Sequence, residues 1–289
     1  VAADFRVKKY RLDFSMGLNL TGSAKVYVDR SELKSYRFTL YHGYKVKQVT
    51  DQTGAALDFR REYDYVTVTR GEAAVEYLCL EYTGKSPKYY SSYAGVCLPA
   101  NFAYYPIPGY RELFKDNFYG FIDCSLPYDT AFDVRCSGRK QMYCNLAARG
   151  DNHFAGNARS ITLLSGYYDT LKLNNTLVVY PKYADTEIRA RIKKNMGTFT
   201  KQHRDIHTIF IMGADNLTPY EHLRSYDGYV VTNSMIDMEQ SYFESQIDIR
   251  KMDFYKTFVY YYNEKVDREE LEQLKQSEDP EEYPMVQII

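Results

Sequence analysis

Apolar residues recur at every second position through the first part of the chain, and this alternation limits the folds open to it more than any other feature. Tyr10, Leu12, Phe14 and Met16 alternate with Arg11, Asp13 and Ser15. Ala24, Val26 and Val28 repeat the pattern, as do Tyr36, Phe38 and Leu40. A period of two sends successive side chains to opposite faces, so one face packs on a core while the other meets water, as in antiparallel strands. Turn chemistry at Thr21-Gly22, His42-Gly43 and Asp51-Gln52-Thr53-Gly54 divides the runs. Further strands are expected at 65–69, 75–82, 117–125, 131–136, 159–166 and 171–180. Such spacing predicts a β sandwich or saddle.

After Pro181 the period changes. Ile188, Ile192 and Met196 stand four apart and predict a helix over 185–196. Asp185 caps it, Glu187 suits its first turn, Lys193 and Lys194 its last, and Gly197 is expected to stop it. Strands are expected at 208–212 and 229–232, then helices near 240–262 and 267–276. Asp267 with Glu270 makes a capping-box variant for the last helix, and the acidic run 278–282 reads as a solvated loop. The fold class is therefore mainly β followed by α/β. The expected division is a β domain at 1–182 and an α/β segment at 183–289.

Composition removes several function classes. Thirty-seven basic residues against thirty-eight acidic leave a net charge of -1 without a basic stripe, so a nucleic-acid partner is not expected. The 31 tyrosines, with 15 phenylalanines and no tryptophan, suit strands in which one ring face packs and the hydroxyl reaches water. Sugar stacking is the competing use of so much tyrosine, weakened by the lack of tryptophan. The five cysteines form no C-x-x-C pair, and their odd number argues against a disulfide scaffold. Cys136, following Phe132 and Val134 in the alternation, reads as a small buried hydrophobe. No run approaches the ~20 apolar residues that span a membrane. The start at Val1 rather than Met suggests an upstream segment that has been removed. Asn19, Asn174 and Asn216 each open an N-x-Ser/Thr sequon, a pattern frequent by chance.

Several stretches resemble a known family. These are FTLYHGYKVKQVTD from Phe38 to Asp51, Glu81-Tyr82-Thr83-Gly84, Tyr104-Tyr105-Pro106, and FYGFIDCSLPYDTA from Phe118 to Ala131. They resemble the N-terminal β domain of zinc aminopeptidases of the aminopeptidase N type. Tyr180-Pro181-Lys182 and the helix after it resemble that family's entry into a thermolysin-like catalytic domain. The likeness covers most of 10–235 and is nearest to divergent members fused to, or encoded beside, bacterial ABC transporter permeases. It implies a gluzincin fold and, for the parent protein, an extracytoplasmic or cell-surface setting. A membrane would then be reached only through segments outside this chain, and the partner would be a peptide or protein.

The family's chemistry needs H-E-x-x-H on a helix, where imidazoles four residues apart share a face, hold Zn²⁺ and flank a general-base Glu. No such motif exists in the chain, whose histidines are His42, His153, His203, His207 and His222. His203 and His207 have the spacing, but Arg204 fills the place of the Glu, and His207 is expected in the turn entering the next strand. His42 and His222 occupy ordinary turn positions. Neither a G-x-S-x-G elbow nor a glycine-rich phosphate loop is present. The family's G-x-M-E-N segment survives only as Asp227-Gly228-Tyr229, without Met-Glu-Asn. Asp227, Gly228 and Tyr229 are thus the candidate substrate-binding residues: Asp227 could hold an amine, or simply form a turn with Gly228. No catalytic residue, metal ligand or cofactor is expected in this chain, with zinc entering only if the parent continues into a zinc motif. Three accounts remain: a non-catalytic peptidase-like binding module, the front fragment of a zinc aminopeptidase whose zinc helix lies beyond residue 289, and a sugar-binding β module.

Overall fold

The computed structural model describes residues 1–17, 19–86, 95–100, 102–111, 124–138, 140–182, 184–212 and 223–232. All of them fall in one compact unit, Val1–Met238. The first strands are β1 (Val7–Met16), β2 (Leu20–Val28), β3 (Ser35–Thr39), β4 (Tyr44–Thr50), β5 (Phe59–Glu62), β6 (Tyr65–Thr69) and β7 (Tyr77–Gly84). Next come β8 (Gly95–Leu98), β9 (Ile107–Pro108), β10 (Thr130–Ser137), β11 (Met142–Cys144), β12 (Ala147–Gly150) and β13 (His153–Ala158). The last strands before the helix are β14 (Leu163–Gly166), β15 (Tyr168–Leu173) and β16 (Thr176–Pro181). The helix α1 (Thr186–Gln202) precedes β17 (Thr208–Ile211), β18 (Leu223–Tyr226) and β19 (Tyr229–Thr232).

The alternation of the first segment builds a seven-stranded sheet in the order β12-β13-β10-β1-β2-β7-β4. Tyr10, Leu12 and Phe14 of β1 and Ala24, Val26 and Val28 of β2 are buried, while Arg11, Asp13 and Ser15 are exposed. Most pairings are antiparallel, as expected, but β1 runs parallel to β10, with Tyr10 opposite Phe132 and Phe14 opposite Cys136. A four-stranded sheet, β5-β6-β3-β9, and a three-stranded sheet, β11-β14-β8, complete the β layers. The core between them is strongly aromatic, with Tyr10 and Phe132 stacked at 5.0 Å and Tyr104 edge-on to Tyr105 at 4.9 Å.

Tyr27, Tyr65 and Tyr77 are part-exposed on their strands, as expected, but five other tyrosines are used differently. Tyr10, Tyr36, Tyr44, Tyr82 and Tyr104 are fully buried, and their hydroxyls do not reach water. The phenols of Tyr10, Tyr36, Tyr82 and Tyr104 donate to the carbonyls of Pro106, Arg30, Tyr104 and Ile161 at 2.7–2.8 Å. A buried phenol needs such a partner, and strand ends and coil supply unpaired carbonyls that need a donor.

The five-stranded sheet β15-β16-β17-β19-β18 draws strands from both sides of residue 182. β16, β17 and β19 pair in parallel, and α1 lies in the crossover between β16 and β17, as parallel neighbours require. Every residue of β17 and β19 is buried, the mark of a sheet covered on both faces. Val179, Phe210, Met212, Tyr229 and Val231 join the core of the β layers. Asp185 caps α1 as expected, its Oδ1 accepting from Ile188 N at 2.8 Å.

Five element expectations are corrected. Thr21-Gly22 is not a turn: it lies inside β2, and the chain reverses between Met16 and Leu20, which pair in register. Gly22 serves the core instead, since a Cβ there would meet the buried ring of Tyr82 at 2.5 Å. The strand at 171–180 is a hairpin, β15 and β16, whose reversal uses Asn174 at φ 53, a conformation asparagine tolerates. Only the second half of 159–166 is a strand: before it the backbone bonds elsewhere, Arg159 O accepting from Leu126 N, Ser160 O from Asn145 Nδ2, and Thr162 N donating to Asn145 Oδ1. Gly197 does not stop α1, which runs to Gln202 because Phe199 and Thr200 in the next turn are buried. Of the strand at 117–125, residues 117–123 lie outside the described residues, and Cys124 and Ser125 are not in a strand. The helices near 240–262 and 267–276 and the acidic run 278–282 also lie outside them.

Candidate functional site

The three candidate binding residues meet in one hairpin. β18 and β19 pair antiparallel with Tyr226 opposite Tyr229, leaving Asp227 and Gly228 as the connection. Gly228 takes φ +77, where a side chain would be strained, so glycine suits this turn. Its carbonyl accepts from His207 N at 2.7 Å, tying the turn to the entrance of β17. The rings of Tyr226 and Tyr229 stack at 4.7 Å. Asp227 is exposed, whereas Tyr229 is 2% exposed and points inward. The Tyr229 hydroxyl lies 3.0 Å from Ser160 Oγ and accepts from Thr162 Oγ1 at 3.1 Å. Of the three, Asp227 presents a carboxylate to solvent, and Tyr229 is engaged in holding the sheet against the preceding coil.

The four described histidines are dispersed. His203 follows the last turn of α1, its N–H donating to Phe199 O at 2.9 Å and its ring stacked on Phe199 at 4.4 Å. His207 comes after the reversal, against the Asp227-Gly228 turn, so the two share no helical face. His42 Nδ1 lies 2.9 Å from Asp64 Oδ1, and the same oxygen accepts from His42 N at 2.6 Å. Tyr63, at φ 52, stacks on this imidazole at 4.2 Å. His153 Nε2 lies 2.9 Å from Asp133 Oδ1, on the solvent face of the seven-stranded sheet where Arg11 and Arg135 also approach that carboxylate. His222 lies outside the described residues. Among the described residues no group of three or more His, Cys, Asp and Glu is placed to hold a metal ion. The described side chains therefore do not fit the zinc that the sequence resemblance implies, since a catalytic site needs three protein ligands around one point.

Three of the five cysteines, Cys97, Cys136 and Cys144, are held as thiols. Burial pushes the thiols of Cys136 and Cys144 up to about 12 and raises that of Cys97 further still. At neutral pH they are thiols, and the thiolate is the reactive and metal-binding form. One concave feature escaped the sequence reading: a groove across the solvent face of the seven-stranded sheet, lined by Asp13, Ser23, Lys47, Glu81 and Arg135. These residues are far apart in the chain, and only the strand order β10-β1-β2-β7-β4 brings them together, so no local pattern could have found the groove.

No family model matches the chain, and no curated protein matches it in sequence. Solved structures do match. Native yeast LTA4 hydrolase superposes with a TM-score of 0.57 at 11% identity, over 84% of this chain and 44% of that one. The M1 zinc metallopeptidase from Deinococcus radiodurans gives a TM-score of 0.51 at 12% identity, over 84% of this chain and 64% of its own. The fold is similar to that of the N-terminal part of the M1 zinc metallopeptidases. At such identity the M1 likeness is one of backbone arrangement. The chain spans less than two thirds of these M1-fold neighbours.

Proposed function

We propose that the chain is a peptidase-fold module that binds without hydrolysing, carried by a larger extracytoplasmic protein. One observation carries this reading: the M1 fold is combined with a sequence that contains no H-E-x-x-H. A hydrolytic M1-type site needs the two imidazoles and the Glu on one helix, to bind the ion and to deprotonate its water. The dispersal of the four described histidines, and the raised thiols of Cys97, Cys136 and Cys144, are consistent with a scaffold used for recognition, since a fold does not carry its chemistry with it. The proposed partner is a peptide or protein, because a Deinococcus radiodurans neighbour is bound to a Tyr-Ser-Ala substrate. Asp227, exposed on its turn, is the proposed contact for a cationic group of that partner, with Gly228 shaping the turn and Tyr229 holding it. Association with a transporter permease is part of the proposal and rests on the sequence resemblance alone. The test is elemental analysis of the purified chain together with an aminoacyl fluorogenic substrate. Neither bound zinc nor cleavage is expected, and stoichiometric zinc or turnover would overturn the reading.

A second reading is supported by the matched share of the neighbours, 44% of the yeast chain and 64% of the bacterial one. In it the parent protein is a zinc aminopeptidase-like hydrolase, and this chain supplies its front part. Reading the parent gene beyond codon 289 separates the two. An H-E-x-x-H there establishes the second reading, and membrane spans without such a motif establish the first.

A further inference from the structure

We draw no further inference here: the strongest candidate, the groove across the solvent face of the seven-stranded sheet between Asp13, Lys47, Glu81 and Arg135, is an open sheet face with charges of both signs, and nothing in the structure shows what covers it.

Discussion

The hydroxyl of Tyr229 sits 3.0 Å from Oγ of Ser160, both residues 2% exposed and 69 positions apart in the chain. This contact, with the Thr162 hydroxyl beside it, ties β19 to the segment that leads into β14. Removing the phenol oxygen alone, as in Tyr229→Phe, leaves two buried hydroxyls short of a partner. The expected cost is about 1–2 kcal/mol of unfolding free energy, measured by urea denaturation. A neutral result would contradict a holding role for Tyr229.

Gly22 and Tyr82 face each other across β2 and β7, and a methyl group at Gly22 would lie 2.5 Å from the Tyr82 ring. Tyr82 cannot retreat freely, since its hydroxyl donates to Tyr104 O at 2.8 Å and its ring is buried. Gly22→Ala is expected to destabilise the fold by about 1–3 kcal/mol through overpacking. Combining it with Tyr82→Leu is expected to cost less than the sum of the single changes. Strict additivity in a double-mutant cycle would show that the two side chains do not compete for space.

α1 offers a pair of opposite effects. A Cβ at Gly197 meets nothing within 4 Å, and the residue lies inside the helix. Gly197→Ala is expected to stabilise by about 0.5–1 kcal/mol by lowering the backbone entropy lost on folding. Asp185→Ala removes the cap on Ile188 N and is expected to destabilise by about 1 kcal/mol. Thermal melts of both variants check the signs, and a destabilising Gly197→Ala would place the helix end before residue 197.

The acid side of the stability profile is expected to depend on Asp51. Its Oδ1 accepts from the Thr53 hydroxyl at 2.6 Å, Thr53 N at 2.8 Å and Ala55 N at 3.1 Å. The Thr53 hydroxyl above all, then these N–H groups, holds the carboxyl below its ordinary value. A depressed folded value contributes stability that is present above the unfolded value of about 4 and is lost as pH falls through the folded one. Asp51→Asn should therefore trail the native chain by a constant margin at neutral pH. That margin should shrink below about pH 4, as followed by urea midpoints at successive pH values. A margin independent of pH would remove the carboxylate from the account.

Much of the β architecture was legible because the alternation is a local signal. β6 and β19 fall at 65–69 and 229–232 as expected, and β10 encloses 131–136. The helix after Pro181 was legible from its cap and its four-residue spacing, and the turn at Asp227-Gly228 from its chemistry. What failed did so for non-local reasons. Gly22 looks like a turn residue until Tyr82 is placed opposite it, and Gly197 looks like a stop until Phe199 is seen to be buried. The bonds of the Tyr229 hydroxyl to Ser160 and Thr162 were not legible at all, because those partners lie 69 and 67 positions away in the chain.

By itself the sequence determined which faces are apolar, where α1 begins, and that no zinc-binding helix motif occurs in these 289 residues. Periodicity, capping and motif spacing are properties of neighbours along the chain. Tertiary structure alone decided the parallel pairing of β1 with β10, the burial of the tyrosine hydroxyls on backbone carbonyls, and the charged groove across five strands. Those features depend on which strands become neighbours, and strand order is settled by the packing of the whole core.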